Sequence, residues 1–154
     1  ERILSGAGLK NIYDFLLDTN RYEVPPSLRV EIAQSSDPAA VISKYGLQGQ
    51  GGICEHCLDI FVSIYGAEAG NLALKLLAIG GVFISGGIAA HILPKLTDGA
   101  FMHAFAAKGR MQSLLETVPV KVIVNDRIGL MGAARYALAQ KSIPTRENLV
   151  SRGI

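Results

Sequence analysis

Residues 80–90 read Gly-Gly-Val-Phe-Ile-Ser-Gly-Gly-Ile-Ala-Ala, and they limit the fold more than any other stretch. Val82, Phe83 and Ile84 are β-branched or aromatic, uncharged and bounded by glycines, which predicts a short buried strand. Gly86 and Gly87 end that strand. Without a Cβ on either residue, the backbone can turn sharply and a flat ligand can come close. Residues 88–93 then predict a helix. Strand, glycine turn and helix together can aim backbone N–H groups at a nucleotide. The same pattern also makes a plain tight turn, and on local grounds that is the simpler account. It is neither G-x-G-x-x-G nor a P-loop, which needs Lys-Ser/Thr after its last glycine.

Most of the remaining chain predicts helix. Leu9, Ile12, Tyr13 and Leu16 have the spacing i, i+3, i+4, i+7, giving an amphipathic helix over 8–19 with Ser5 or Gly8 as its cap. Pro25-Pro26 marks a loop, and Ser27 is a candidate cap for a short helix to Gln34. Asp37-Pro38 places an N-cap carboxylate before a proline in the first turn of a helix over 38–44. Residues 49–52 read as a hinge. A long helix over 53–78 comes next, with Leu58, Phe61, Val62 and Tyr65 on one face, continued by Leu72, Leu76 and Ile79. Gly66 and Gly70 interrupt it; they require a close neighbour or a kink. Pro94 breaks the helix after the glycine turn. Asp98 is a candidate cap for a helix over 99–108, and 110–116 predicts another. Val120, Val122, Ile123 and Val124 predict a second buried strand, and after it a last helix from Gly129 to Ala139.

Two strands, each leading into a helix, give an α/β class. A lone parallel pair leaves unpaired edges and apolar faces, so its other strands are expected from elsewhere. The sequence begins at Glu1 rather than Met, and it is expected to be part of a larger fold.

Composition narrows the function. The 154 residues are 49% hydrophobic and 18% charged, enough for one real core. With 15 basic and 13 acidic residues the net charge is +2, which makes no electrostatic case for nucleic acid or an acidic membrane. The apolar run 72–93 has the length of a membrane span, but Lys75 and two glycine pairs suit a buried helix and then a strand. Two cysteines are too few for a secreted disulfide framework, so the cytoplasm is the expected compartment. Cys54-Glu55-His56-Cys57 has the C-x-x-C spacing of zinc or redox sites. No second pair accompanies it, and His91 and His103 lie on other elements, so small core residues are the expected reading. Asp59, Glu68, Asp98, Glu116 and Asp126 form no acid/base or metal signature, and no catalytic or metal-ligating residue is assigned. Asp126 comes after the second strand, where α/β folds place ligand clefts; an N-cap or turn role accounts for it as well.

Several stretches, in order, resemble one family. Residues 1–13, ERILSGAGLKNIY, are similar to the E-R-[IV]-L-S-G-x-G-L-x-N-[IL]-Y segment of bacterial ATP-dependent glucokinases. Residues 70–74, GNLAL, match another of their segments. Residues 80–88 resemble G-G-V-[FY]-I-[AS]-G-G-I, the adenosine motif of the sugar kinase/actin-like superfamily. Phe105 with residues 108–111, Pro119-Val120, and Gly129-Leu130-Met131-Gly132 resemble F-x-x-K-G-R-[FM], [IV]-P-V and G-L-[LM]-G.

The resemblance implies an incomplete ribonuclease H-like lobe over residues 1–140, with 141–154 as an unassigned tail. It implies ATP and Mg2+ as cofactors and glucose as the other substrate. Gly86 and Gly87 would pass beneath the adenine and ribose, with Ser85 and Ile88 flanking them and Ser5 and Gly6 near the nucleotide. A homodimer is expected, with the long apolar helix as its surface. Neither nucleic acid nor membrane is an expected partner. The family's D-x-G-G-T-N loop, its catalytic aspartate and its E-x-G-H sugar segment are not in this sequence. The chain by itself is therefore expected to be inactive, as the C-terminal part of an enzyme that phosphorylates the 6-hydroxyl of glucose. Two alternatives stand beside this: a non-enzymatic assembly or regulatory module, and a kinase for another hexose.

Overall fold

The computed structural model describes residues 2–49 and 52–140. Three helices come first: α1 (Gly6–Asp18), α2 (Pro26–Gln34) and α3 (Pro38–Leu47). The long α4 (Gly52–Leu76) leads to β1 (Val82–Ile84). Short helices α5 (Gly87–His91), α6 (Leu93–Leu96), α7 (Ala100–Ala106) and α8 (Gln112–Leu115) cross to β2 (Val120–Val122), and α9 (Ile128–Gln140) ends the described chain. The class is α/β and helix-rich, as expected.

Helix α1 starts where its cap predicts: the Ser5 hydroxyl accepts from the Gly8 N–H at 3.0 Å. Its predicted stripe, Leu9, Ile12, Tyr13 and Leu16, is buried. In α3, Asp37 Oδ1 accepts from the Ala40 N–H at 3.1 Å. That helix runs through Gly46 to Leu47, further than expected. Ser27 is not the cap of α2. Pro25 is the cap residue and Pro26 opens the helix, because a proline at the first position needs no N–H.

The core is built on α4, which packs against α1, α3 and α7. It is unbroken at both glycines. A Cβ on Gly66 would fall on the carbonyl oxygen of Phe101, and one on Gly70 on that of Phe105. Helix α7 thus occupies the space that side chains would take. Each glycine costs about 1 kcal/mol of helix stability. The close approach buries Phe101 and Phe105, each worth about 1.5–3 kcal/mol. Phe61, Tyr65 and Phe101 meet edge to face, with centroids 5.9 and 5.7 Å apart. Lys95 Nζ bonds Asp59 at 2.5 Å and Asp98 at 2.9 Å, tying α6 to α4 and to the start of α7.

Helix α4 is also long and apolar enough to cross a membrane, but ten of its residues are buried among these partners. The part of its apolar face formed by Leu58, Phe61 and Val62 is therefore used within the chain. The predicted continuation of that face is not buried: Leu72, Leu76 and Ile79 are exposed.

Strands β1 and β2 pair in parallel, with Val82 opposite Val120 and Ile84 opposite Val122. Both were expected to be buried, and they are not. Ile84 is buried, whereas Phe83 beside Lys121 is 65% exposed, and Val124 beyond β2 is 64% exposed. The pleat sends alternate side chains to opposite faces, and no described element covers the outer one. Every described side chain from Ile128 to Ala139 in α9 is exposed as well. The predicted tail and part of the predicted hinge lie outside the described residues.

Candidate functional site

The glycine turn forms as predicted, but the helix after it is shorter than expected. Pro94 has no N–H to offer Ala90, so the predicted helix splits into α5 and α6 at Ile92. Helix α5 has five residues. Gly86 has φ +119° and ψ 159°, a conformation open essentially only to glycine. Nothing lies within 4 Å of a Cβ built on Gly86 or Gly87, so the space before the turn is open.

That space is two cavities, one on each side of the turn. The first, about 430 Å³, lies between the start of α1, α3 and α5. Gly6, Leu9, Ala39, Ala40 and Ile88 give it small or apolar walls, and Ser43, Lys44, Asp37 and His91 add polar groups. The second, about 350 Å³, lies at the carboxyl ends of β1 and β2, with Ser85, Gly86, Asn125 and Asp126 in its lining. Gly87 and His91 border both. The structure thus brings Gly6 to Gly87 and Ile88, three residues that the sequence could link only through the family motifs. It places Ser85 and Gly86 toward the other cavity. His91 Nδ1 lies 2.6 Å from the Gly87 carbonyl, which can only accept, so Nδ1 carries the proton. This bond holds the ring against the turn.

Neither cysteine lines either cavity. Both are fully buried and unbridged, and Cys57 Sγ donates to the Leu9 carbonyl at 3.3 Å. Burial pushes the Cys54 thiol up to about 11. Burial, then the neighbouring Cys54 and Asp14, pushes Cys57 up to about 12. Thiols so reluctant to ionise are core residues, as expected. Among the described residues, no three His, Cys, Asp or Glu side chains come together in a way that could hold a metal ion.

Sequence reasoning did not single out Ser43. The signal was present: Ala39, Ile42, Ser43 and Gly46 share one helix face by their spacing, and a serine on an apolar stripe is out of place.

The glucokinase family model matches residues 1–140. The chain is 41% identical to the glucokinase of Synechocystis sp. over 148 residues, covering 87% of this chain and 41% of that protein. It is 44% identical to the glucokinase of a Nostoc species over 147 residues, covering 89% and 43%. A crystal structure of glucokinase from an Antarctic psychrotroph superposes with a TM-score of 0.71 at 33% identity, covering 87% of this chain and 38% of that one. The chain belongs to the glucokinase family, and it spans about two fifths of the length of these relatives.

Proposed function

We propose that this chain is the nucleotide-side lobe of a glucokinase, an enzyme that transfers the γ-phosphoryl of ATP to the 6-hydroxyl of glucose. The observation that carries the reading is the first cavity. It forms where the family's adenosine motif, at Gly87 and Ile88, meets its S-G-x-G-L segment, at Gly6 and Leu9. Its size and mostly apolar lining suit the adenosine end of ATP. In this reading Gly87 leaves room for the nucleoside, Ile88 packs on it, Gly86 sets the turn that carries them, and Ser85 stands with Gly86 on the far side of that turn. Mg2+ travels with the phosphate oxygens and supplies charge neutralisation for phosphoryl transfer. The lobe corresponds to residues 1–140 of a ribonuclease H-like fold whose sheet needs more strands than β1 and β2. The base that accepts the sugar proton and the groups that grip glucose belong to family segments absent from this sequence, so the chain alone is inactive. A cytoplasmic homodimer fits the family.

Gly87→Leu tests the reading, because Gly87 lacks the left-handed strain of Gly86 and its side chain would project into open space. In the native polypeptide that carries this sequence, ATP affinity should fall at least tenfold while the melting temperature stays within a few degrees. Unchanged affinity would remove the nucleotide from this cavity. Glucose-dependent ADP release by the same polypeptide tests the activity itself; release with another hexose alone would change the substrate.

A further inference from the structure

Ser43, at 8% exposed, is the one buried residue with a polar or charged side chain among the described residues, tyrosines and cysteines aside. It lies within α3 and lines the first cavity. A serine inside a helix usually turns its hydroxyl back to the carbonyl four residues earlier. Ser43 forms no such bond with Ala39, and it has no other hydrogen-bond partner among the described residues. The hydroxyl is not sealed in the core, since the one fully enclosed side-chain polar atom without a partner there is the Tyr13 hydroxyl. Ser43 thus keeps some exposed surface and is one of the residues that line the cavity.

Each of the other polar side chains of the lining already holds at least one partner. Asp37 Oδ1 caps α3. Lys44 Nζ lies 3.6 Å from Glu31 and 5.1 Å from the centre of the Tyr45 ring. His91 Nδ1 is bonded to Gly87. Ser43 alone among the lining residues is a nearly buried hydroxyl-bearing residue without a partner, set between apolar walls. Such a group is unfavourable in the empty protein and gains a partner when a ligand brings one.

Resting on the reading of this cavity as the nucleoside site, we propose that Ser43 is a specificity-determining residue that donates its hydroxyl hydrogen to a ring nitrogen of the purine. The lining dictates the ligand chemistry. A planar heterocycle satisfies the apolar walls, and the bare ring nitrogens of adenine, which only accept, match a hydroxyl donor. Phosphate would bring charge among Leu9, Ala39 and Ile88, so it lies outside this part of the cavity.

The test is a binding titration of ATP and of its 1-deaza, 3-deaza and 7-deaza analogues on the native polypeptide and its Ser43→Ala variant. Wild-type protein should bind one analogue about tenfold more weakly than ATP. Ser43→Ala should weaken ATP by the same factor, leave that one analogue unaffected, and melt no lower than wild type. The match between one deleted nitrogen and one deleted hydroxyl is a readout that a structural role cannot produce. If Ser43→Ala weakens ATP and all three analogues alike, or weakens none, the base contact is overturned. If Gly87→Leu abolishes binding while Ser43→Ala changes nothing, this inference fails and the nucleotide cavity stands. If Gly87→Leu also leaves binding intact, both fall.

Discussion

Helices α4 and α7 on one side, and the β1–β2 pair with α9 on the other, are both apolar in sequence, yet only the first region is closed. Around α4 the backbones of two helices touch through Gly66 and Gly70, and Phe61, Phe101 and Phe105 are buried with almost no exposed surface. Around β1, Phe83 and Val124 stand exposed, and α9 presents Leu130, Met131 and Leu138 to solvent. The difference separates local sequence from burial. An apolar run fixes which element forms, whereas burial depends on a second surface arriving to cover it. The described residues supply that surface for α4 and not for the outer face of the strands.

The largest expected effect contrasts two phenylalanines. Phe105→Ala removes a ring with no exposed surface from between α7 and α4. Urea denaturation of the 154-residue chain should show a loss of about 3–5 kcal/mol. Phe83→Ala, at a position 65% exposed, should stay within about 0.5 kcal/mol of wild type. Comparable losses at both positions would mean that the strand region is as closed as the helical one.

The next effect sharpens the comparison through pH. Cys54 and Cys57 lie in the closed region, and burial raises both thiols from an ordinary 9.0 to about 11 and about 12. Between those limits the folded chain binds more protons than the unfolded one. Their contribution is therefore complete below pH about 9 and is lost as pH rises toward 12. Each thiol contributes up to about 1.4 kcal/mol per pH unit in that window. Stability measured at about pH 8, 9 and 10 should fall over the last unit, and Cys54→Ala/Cys57→Ala should flatten that fall. Tyr13 and Tyr65, also raised by burial, add losses of the same sign above pH 10. An equal slope in the double variant would mean that the thiols are not the source.

These contrasts also show what the sequence made legible. The i, i+3, i+4, i+7 spacing of Leu9 to Leu16 located α1, and the Asp37-Pro38 pair located the start of α3, because helix stripes and caps are local. Gly66 and Gly70 signalled a close neighbour, and α7 is that neighbour. The strands were found almost to the residue, but their burial was misjudged, since Val-Phe-Ile reads the same covered or bare. The candidate site was half legible. The glycine turn was evident as a turn, yet Gly6 and Gly87 are 81 positions apart, and only the fold puts them around one cavity. Ser43 passed unnoticed between Ile42 and Lys44 because an exposed serine and a cavity serine carry the same letter.

The smallest expected effect probes the open region directly. Helix α9 has 13 residues, a length at which an isolated helix is marginal in water, and none of its described side chains is buried. Leu130→Ser should therefore change the stability of the 154-residue chain by less than about 0.5 kcal/mol. Backbone amides of α9 should also exchange with solvent much faster than those of α4, because local opening there exposes no packed surface. A loss above about 1 kcal/mol, or slow exchange restricted to the apolar side of α9, would break the comparison. It would show that something covers this helix in solution. Repeating the measurement at two protein concentrations would separate the possibilities, because protection by a second copy grows with concentration and protection from within one chain does not.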